Sequence, residues 1–253
     1  MNPIKKILGH IYFFYGMLVF MITMIVIALI PASIALLFKE PKRAKIVHPT
    51  YRFWMGIFLP LVFIRVKRKG AELFTKGENF VVVVNHNSLV DIPVSMPWVP
   101  GPNKTLAKIE MSKIPLFGII YKAGSILLDR KNASSKRDSV LEMQKTLVED
   151  GLHLTLYPEG TRNKSDQPLL PFHDGAFVTA MKAEKTLIAG VIFNAKNILP
   201  HNRKLWAWPY NIHFHFIKTY PTAELTMDEV ATLKNTVRND MAQYYTAHNA
   251  QLK

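Results

Sequence analysis

No cysteine occurs in the 253-residue chain, which excludes disulfides, cysteine-ligated metal centres and a thiol nucleophile. Acidic residues are scarce, 18 against 32 Lys and Arg, and the formal net charge is +14. No G-x-S-x-G elbow, internal repeat or low-complexity linker is present, which argues against a nucleophile-elbow hydrolase and against a repeat array. The histidines form no metal-ligand cluster: His86, His153 and His173 are far apart, and His213 with His215 fall on one face of a predicted strand. No metal or other cofactor is expected. A chain of this length fits one sizeable α/β core plus an appendage.

Charge is also absent between Lys6 and Lys39, where Ile, Leu, Met, Val and Phe dominate. Such a run exceeds the ~20 residues that cross a bilayer and is too long for a signal-peptide core. A second apolar patch, residues 54–64, is short, contains Pro60, and is expected to lie in the interface or re-enter. Pro31 leaves two arrangements open: a spanning helix, or a monotopic hairpin made with residues 54–64. Residues 39–70 carry nine basic side chains against the single acid Glu40, so +8 of the +14 lies beside the apolar segments. That placement favours a bilayer with anionic lipid over nucleic acid as partner, and puts the flank on the cytoplasmic side.

After residue 64 the pattern changes to short strands alternating with amphipathic helices. Strands are predicted at residues 64–68, 80–84, 126–128, 152–157, 186–193 and, half-exposed, 212–216. Ser134 or Ser135 is the candidate cap of a helix turning Val140, Leu141, Leu147 and Val148 inward until Gly151. Thr226 to Glu229 reads as a capping box opening a last helix with Val230, Leu233, Val237, Met241 and Tyr244 on one face. The expected architecture is α/β, a mixed central sheet flanked by helices over residues 65–253, with an N-terminal hydrophobic helical membrane anchor over residues 1–64.

The valines at 81–84 run into Asn85-His86-Asn87-Ser88-Leu89-Val90-Asp91. A neutral imidazole can take a proton from a hydroxyl near pH 7, and an aspartate on its other nitrogen fixes the tautomer and stabilises the imidazolium. The plainer reading makes Asp91 an N-cap ahead of Ile92-Pro93 and His86 a loop residue. Two further strand ends carry polar groups, Asp129-Arg130-Lys131 and Pro158-Glu159-Gly160-Thr161-Arg162. Open α/β sheets bind ligands at such ends, and the planar fork of arginine suits phosphate.

Taken with Gly124-Ser125-Ile126-Leu127-Leu128-Asp129-Arg130 and Tyr157-Pro158-Glu159-Gly160-Thr161-Arg162, the His86 segment resembles the glycerolipid acyltransferase family, in the family's order and over roughly residues 65–220. Ala107-Lys108, Ile114-Pro115-Leu116-Phe117-Gly118 and Phe172-His173-Asp174-Gly175-Ala176-Phe177 also look like family segments, whereas Thr186 and Ala189 stand where the family commonly has proline. The resemblance implies transfer of a fatty acyl group from an acyl thioester, acyl-CoA or acyl carrier protein, to the 2-hydroxyl of lysophosphatidic acid. It implies His86 as general base with Asp91 as its partner, and Asn85 and Ser88 orienting the turn. Substrate binding falls to Arg130, Arg162 and Lys108, with Glu159, Gly160 and Thr161 shaping the loop. The implied setting is the cytoplasmic face of a membrane, the bacterial inner membrane. Another lysolipid acceptor, such as a lyso-aminolipid or lysophospholipid, and a non-catalytic lipid-binding protein are the alternatives.

Overall fold

The computed structural model describes residues 2–252, apart from the side chains of residues 133 and 136. The N-terminal apolar run folds as helix α1 (Pro3–Thr23), a wide π-type turn over Met24–Leu29 and helix α2 (Ile30–Ala35), joined end to end. Pro31 does not break this helix: the wide turn falls where a proline would otherwise clash with the preceding carbonyls. The continuous helix Pro3–Ala35 has 33 residues, and among the described residues it is long and apolar enough to cross a membrane. It is a candidate membrane anchor.

The chain then doubles back as α3 (Lys42–Leu61). Within this charged segment Ala44, Val47, Tyr51, Trp54, Met55 and Leu59 recur at helical spacing and are the buried residues, so the helix is longer than residues 54–64 suggest. Tyr15 donates to the Leu61 carbonyl at 2.8 Å, and the Trp54 indole donates to Thr23 Oγ1 at 3.0 Å. These contacts fix α1 and α3 as an antiparallel hairpin. Its outward face keeps Ile7, Ile11, Phe14, Leu18, Ile22 and Val26 exposed.

The rest of the chain alternates β1 (Val66–Lys69), β2 (Val81–Val84), α4 (Asp91–Trp98), β3 (Asn103–Lys108), α5 (Phe117–Gly124), β4 (Ser125–Leu128), α6 (Ala133–Val148), β5 (His153–Leu156), α7 (Gly175–Lys182), β6 (Leu187–Phe193), α8 (Ala195–Ile198), β7 (Ile212–Tyr220) and α9 (Val230–Asn249). The strands form one mixed sheet in the order β1-β7-β6-β2-β5-β3-β4. Strands β2 to β6 are mutually parallel, β7 runs antiparallel to β6, and β1 is parallel to β7. Central β2 is valine throughout because both of its faces are buried. Val82 and Val84 join the α1–α5 side, whereas Val81 and Val83 join the side covered by α6, α7 and α9. The hairpin and the sheet share the first of these cores.

Several expected details differ. Strand β3 has no counterpart among the predicted strands because its sequence, Asn-Lys-Thr-Leu-Ala-Lys, is polar at four of six positions; its Asn103, Lys104 and Thr105 are nevertheless buried. Helix α6 is capped by Asn132, whose side chain accepts from the Ser134 and Ser135 amides, and not by either serine. Its inner face is Met143 and Leu147, with Leu141 67% and Val148 61% exposed. The Thr226–Glu229 capping box is present, but the α9 face ends in Tyr245, one helical turn from Met241, and not in Tyr244. Strand β7 extends four residues beyond Phe216, and its His215 is buried beneath α9, where it bonds Tyr244.

Lys104 ties the hairpin tip to the sheet, with its ammonium 3.3 Å from both Glu40 and Glu142. Glu40 also accepts from the Ala44 amide at 3.0 Å, so the same carboxylate holds the first turn of α3. Removing one member of a buried ion pair leaves the other without compensation. Lys104→Met should therefore lose about 3–5 kcal/mol of stability, and adding Glu40→Gln should recover part of it. Denaturant unfolding of the detergent-purified variants checks this, and equal stability of Lys104→Met and wild type would contradict it.

Candidate active site

Because β2, β5, β3 and β4 are parallel neighbours, their carboxyl ends line one edge of the sheet. The sequence places His86 after β2, Glu159 to Arg162 after β5, Lys108 at the end of β3 and Arg130 after β4. With strands ~4.8 Å apart, this row extends about 14 Å from β2 to β4.

Asn85 ends β2 by substituting its side chain for backbone. Its amide accepts from Ile192 N–H at 2.7 Å and donates to the Ile192 carbonyl at 3.0 Å, continuing the pairing with β6 while the main chain turns away. In that turn, Asp91 Oδ2 accepts from three donors: His86 Nδ1 at 2.8 Å, Asn87 N–H at 2.6 Å and Ser88 N–H at 2.7 Å. Asp91 is the first residue of α4, with Val90 at the cap position, so its carboxylate closes the preceding loop and does not cap its own helix. With Nδ1–H directed at the carboxylate, the Nε2 lone pair of His86 is available, and the ring is partly exposed.

The imidazole stacks on Tyr157, with centroids 4.4 Å apart, and Tyr157 in turn shares a 2.5 Å hydrogen bond with Ser95 of α4. The backbone of His86 is held by the loop after β5: its N–H donates to Glu159 Oε1 at 2.7 Å, and its carbonyl accepts from Asn163 N–H at 2.6 Å. Arg162 therefore lies one residue from a direct contact with His86, and its side chain is half-buried. Gly160 has φ +65, and an added Cβ would lie 2.7 Å from the His173 ring, so the turn is closed to other residues. Thr161 is exposed at its tip.

Glu159 is buried with both oxygens occupied, Oε2 accepting from Leu170 N–H at 2.8 Å; it faces inward and not into the cleft. Arg130 and Lys108 are exposed on the far strands. Tyr121 of α5 joins them, since its hydroxyl bonds the backbone of Lys108 and feels the charge of Arg130; burial nonetheless pushes this phenol up to about 12. Among the described residues no group of three metal-ligating side chains is present. Tyr157 and Asn163 stand inside or beside the Tyr-Pro-Glu-Gly-Thr-Arg motif, but nothing in spacing signals a ring stack or a backbone bond between distant strand ends. The assembled groups are a base oriented by a carboxylate and, along the same edge, cations suited to an anionic ligand.

A family model described as Acyltransferase matches residues 65–194. The mouse 1-acyl-sn-glycerol-3-phosphate acyltransferase alpha is 30% identical over 179 residues, covering 70% of this chain and 62% of that protein, so the chain spans about three fifths of its length. The Haemophilus influenzae 1-acyl-sn-glycerol-3-phosphate acyltransferase is 30% identical over 167 residues, with 66% and 68% covered. In fold, the chain is similar to the crystal structure of PlsC, the 1-acyl-sn-glycerophosphate acyltransferase of Thermotoga maritima, with a TM-score of 0.72, 22% identity and coverage of 98% and 97%.

Burial outweighs the His86 and Leu170 amides and pushes Glu159 from 4.5 up to about 7. The folded state thus keeps this proton to higher pH than the unfolded chain, and its contribution is complete below about pH 4.5 and lost as pH rises through about 7. A shift of this size corresponds to about 3 kcal/mol. The stability of wild type relative to Glu159→Gln should fall by that order between about pH 4.5 and about pH 8. Denaturant titrations at several pH values measure it; a difference independent of pH would show that this carboxyl does not titrate in the window.

Proposed function

Since the chain belongs to the acyltransferase family, we propose that it transfers a fatty acyl group from an acyl thioester to the 2-hydroxyl of lysophosphatidic acid, giving phosphatidic acid in phospholipid biosynthesis. The observation that carries this reading is the 2.8 Å bond from His86 Nδ1 to the buried Asp91, which leaves Nε2 as the basic nitrogen on the sheet edge that also bears Arg162.

Arg162 and Arg130 hold the phosphate, with Lys108 between their strands, while Glu159, Gly160 and Thr161 set the loop that presents Arg162. The anchored lipid places its 2-hydroxyl at His86 Nε2. The imidazole takes the proton as the oxygen attacks the thioester carbonyl, and Asp91 stabilises the imidazolium. The adduct collapses by expelling the thiolate, which takes the proton back from His86, leaving ester, free thiol and neutral base. Acyl-CoA and acyl carrier protein both fit as donor, being acidic partners of a chain with net charge +14. Direct transfer in a ternary complex is favoured because the chain has no cysteine and no nucleophile elbow.

We assign residues 1–64 to membrane attachment and residues 65–253 to catalysis. The exposed apolar face of the hairpin lies in the leaflet from which the lysolipid arrives, and the basic flank sets the site on the cytoplasmic side, in a bacterium the inner membrane.

His86→Ala should lower transfer by about 10²- to 10⁴-fold, the usual share of a general base, with the fold retained because Asp91 keeps its two backbone donors. Arg162→Ala should raise the KM for lysophosphatidate by on the order of tenfold or more, as loss of a charge-assisted bond predicts, and leave that for a neutral monoacylglycerol unchanged. Thioester release measured with both acceptors separates the outcomes: equal effects on the two would remove the phosphate assignment, and binding without turnover in wild type would favour a lipid carrier.

A further inference from the structure

The segment between α8 and β7 lies outside the matched family region and has no part in the chemistry above. It reads His201-Asn202-Arg203-Lys204-Leu205-Trp206-Ala207-Trp208, basic residues followed by an apolar and aromatic tip. Its backbone is fastened to the start of α1. The Leu205 carbonyl bonds His10 Nδ1 at 2.7 Å, and Ala207 N–H donates to the Gly9 carbonyl at 3.1 Å. The Trp206 indole lies flush on Gly9, where an added Cβ would come within 1.8 Å of its nitrogen. Lys5 sits over the Trp208 ring and Arg203 over Trp206. Loop and helix end form one surface.

Leu205 is anomalous on that surface. It has φ +51, a conformation uncommon for a bulky residue, and its side chain is 55% exposed to solvent. A leucine held in a disfavoured backbone state with an apolar side chain pointing outward breaks two local rules at one position, as functional sites do. On the end of α1 to which the loop is bonded, Ile4, Ile7, Leu8 and Ile11 are exposed as well, and Lys5, Lys6 and Lys204 adjoin these apolar residues in sequence. An apolar tip beside lysines and the partly exposed Trp208 is what a bilayer interface accommodates, while buried Trp206 fastens the loop to α1.

We propose that residues 201–208 are a second membrane contact, with Leu205 inserted among the acyl chains and Lys204 at the headgroups of anionic lipid, fixing the rotation of α1 in the leaflet. The loop follows β6, the neighbour of β2, at the carboxyl edge that carries His86, so this contact holds the cleft beside the lipid surface.

The absence of native cysteine allows a clean test by single-site labelling of the full chain. Leu205→Cys and, as a water-exposed reference on α7, Lys182→Cys would each carry a nitroxide. The protein would be reconstituted into vesicles of phosphatidylcholine alone and of phosphatidylcholine with phosphatidylglycerol. The label at 205 is expected to be open to oxygen and shielded from a water-soluble nickel chelate, more so with phosphatidylglycerol, whereas the label at 182 stays open to the chelate. Lys204→Gln in the Leu205→Cys background should weaken the loop's lipid partition by about fivefold. Relaxation of both labels alike by the chelate would overturn the proposal, as would a label at 205 shielded from oxygen and chelate together, which would mean a protein partner. The readout needs no turnover, so it stands or falls apart from the acyltransferase reading.

Discussion

One oxygen atom, Oδ2 of Asp91, organises the site. It gathers the imidazole N–H and two consecutive backbone N–H groups, and these three bonds wrap residues 86–88 around a carboxylate at the start of α4. Charge-assisted bonds of this kind are short and directional, and in a buried setting they are strengthened by the low local dielectric. The turn geometry and the imidazole tautomer are therefore set by the same atom. A capping role for Asp91 at its own helix would have left the ring of His86 without an orienting partner.

The second constraint is that His86 is held by its backbone as firmly as by its ring. Glu159 and Asn163 take its N–H and carbonyl, so the loop that carries Arg162 and the turn that carries the base form one unit. Glu159 bridges further to Leu170. A buried carboxylate is costly, and here its oxygens supply the acceptors that two loop amides need. The sequence Pro-Glu-Gly-Thr-Arg thus combines an inward-facing brace, a glycine where a Cβ would strike His173, an exposed threonine and a half-buried arginine.

What was legible in the chain, and what was not, follows from these forces. The strand ends bearing His86, Arg130 and Arg162 are legible because each follows a short strand with an apolar face and stops abruptly at polar groups. Parallel neighbours then had to bring those ends to one edge. Strand β3 was hidden because its burial is satisfied by hydrogen bonds and an ion pair, Asn103 with Met96 and Thr155, Lys104 with Glu40 and Glu142, and such pairings have no periodic signature. The inner face of α6 agrees with the sequence pattern at Leu147 and departs from it at Leu141 and Val148, which are apolar yet exposed, while Met143 packs inward. The basic run Lys67-Arg68-Lys69, a single cluster in the sequence, is divided by strand alternation: Lys67 and Lys69 lie near His213 and His215, whereas Arg68 reaches the Trp98 carbonyl on the other side of the sheet.

The hairpin ties the candidate membrane anchor to the candidate active site. Ala28, Ala32 and Ala35 are buried small residues that allow α2 and the preceding turn close to α3 and α5, while the opposite side of the same helix stays apolar and exposed. Tyr51 of α3 bonds the Ile120 carbonyl, His48 bonds that of Val99, and Lys104 holds Glu40 at the hairpin tip. Helix α3 is therefore locked along its length to the elements that precede and follow the strands of the candidate site. A lateral force on the exposed face would be carried to the sheet with little room for independent motion, because the close-packed core between them deforms only at a cost. Under the reading proposed above, the plane of the leaflet and the row of strand ends hold a fixed relation, and a lysolipid need only move within the leaflet to meet the imidazole.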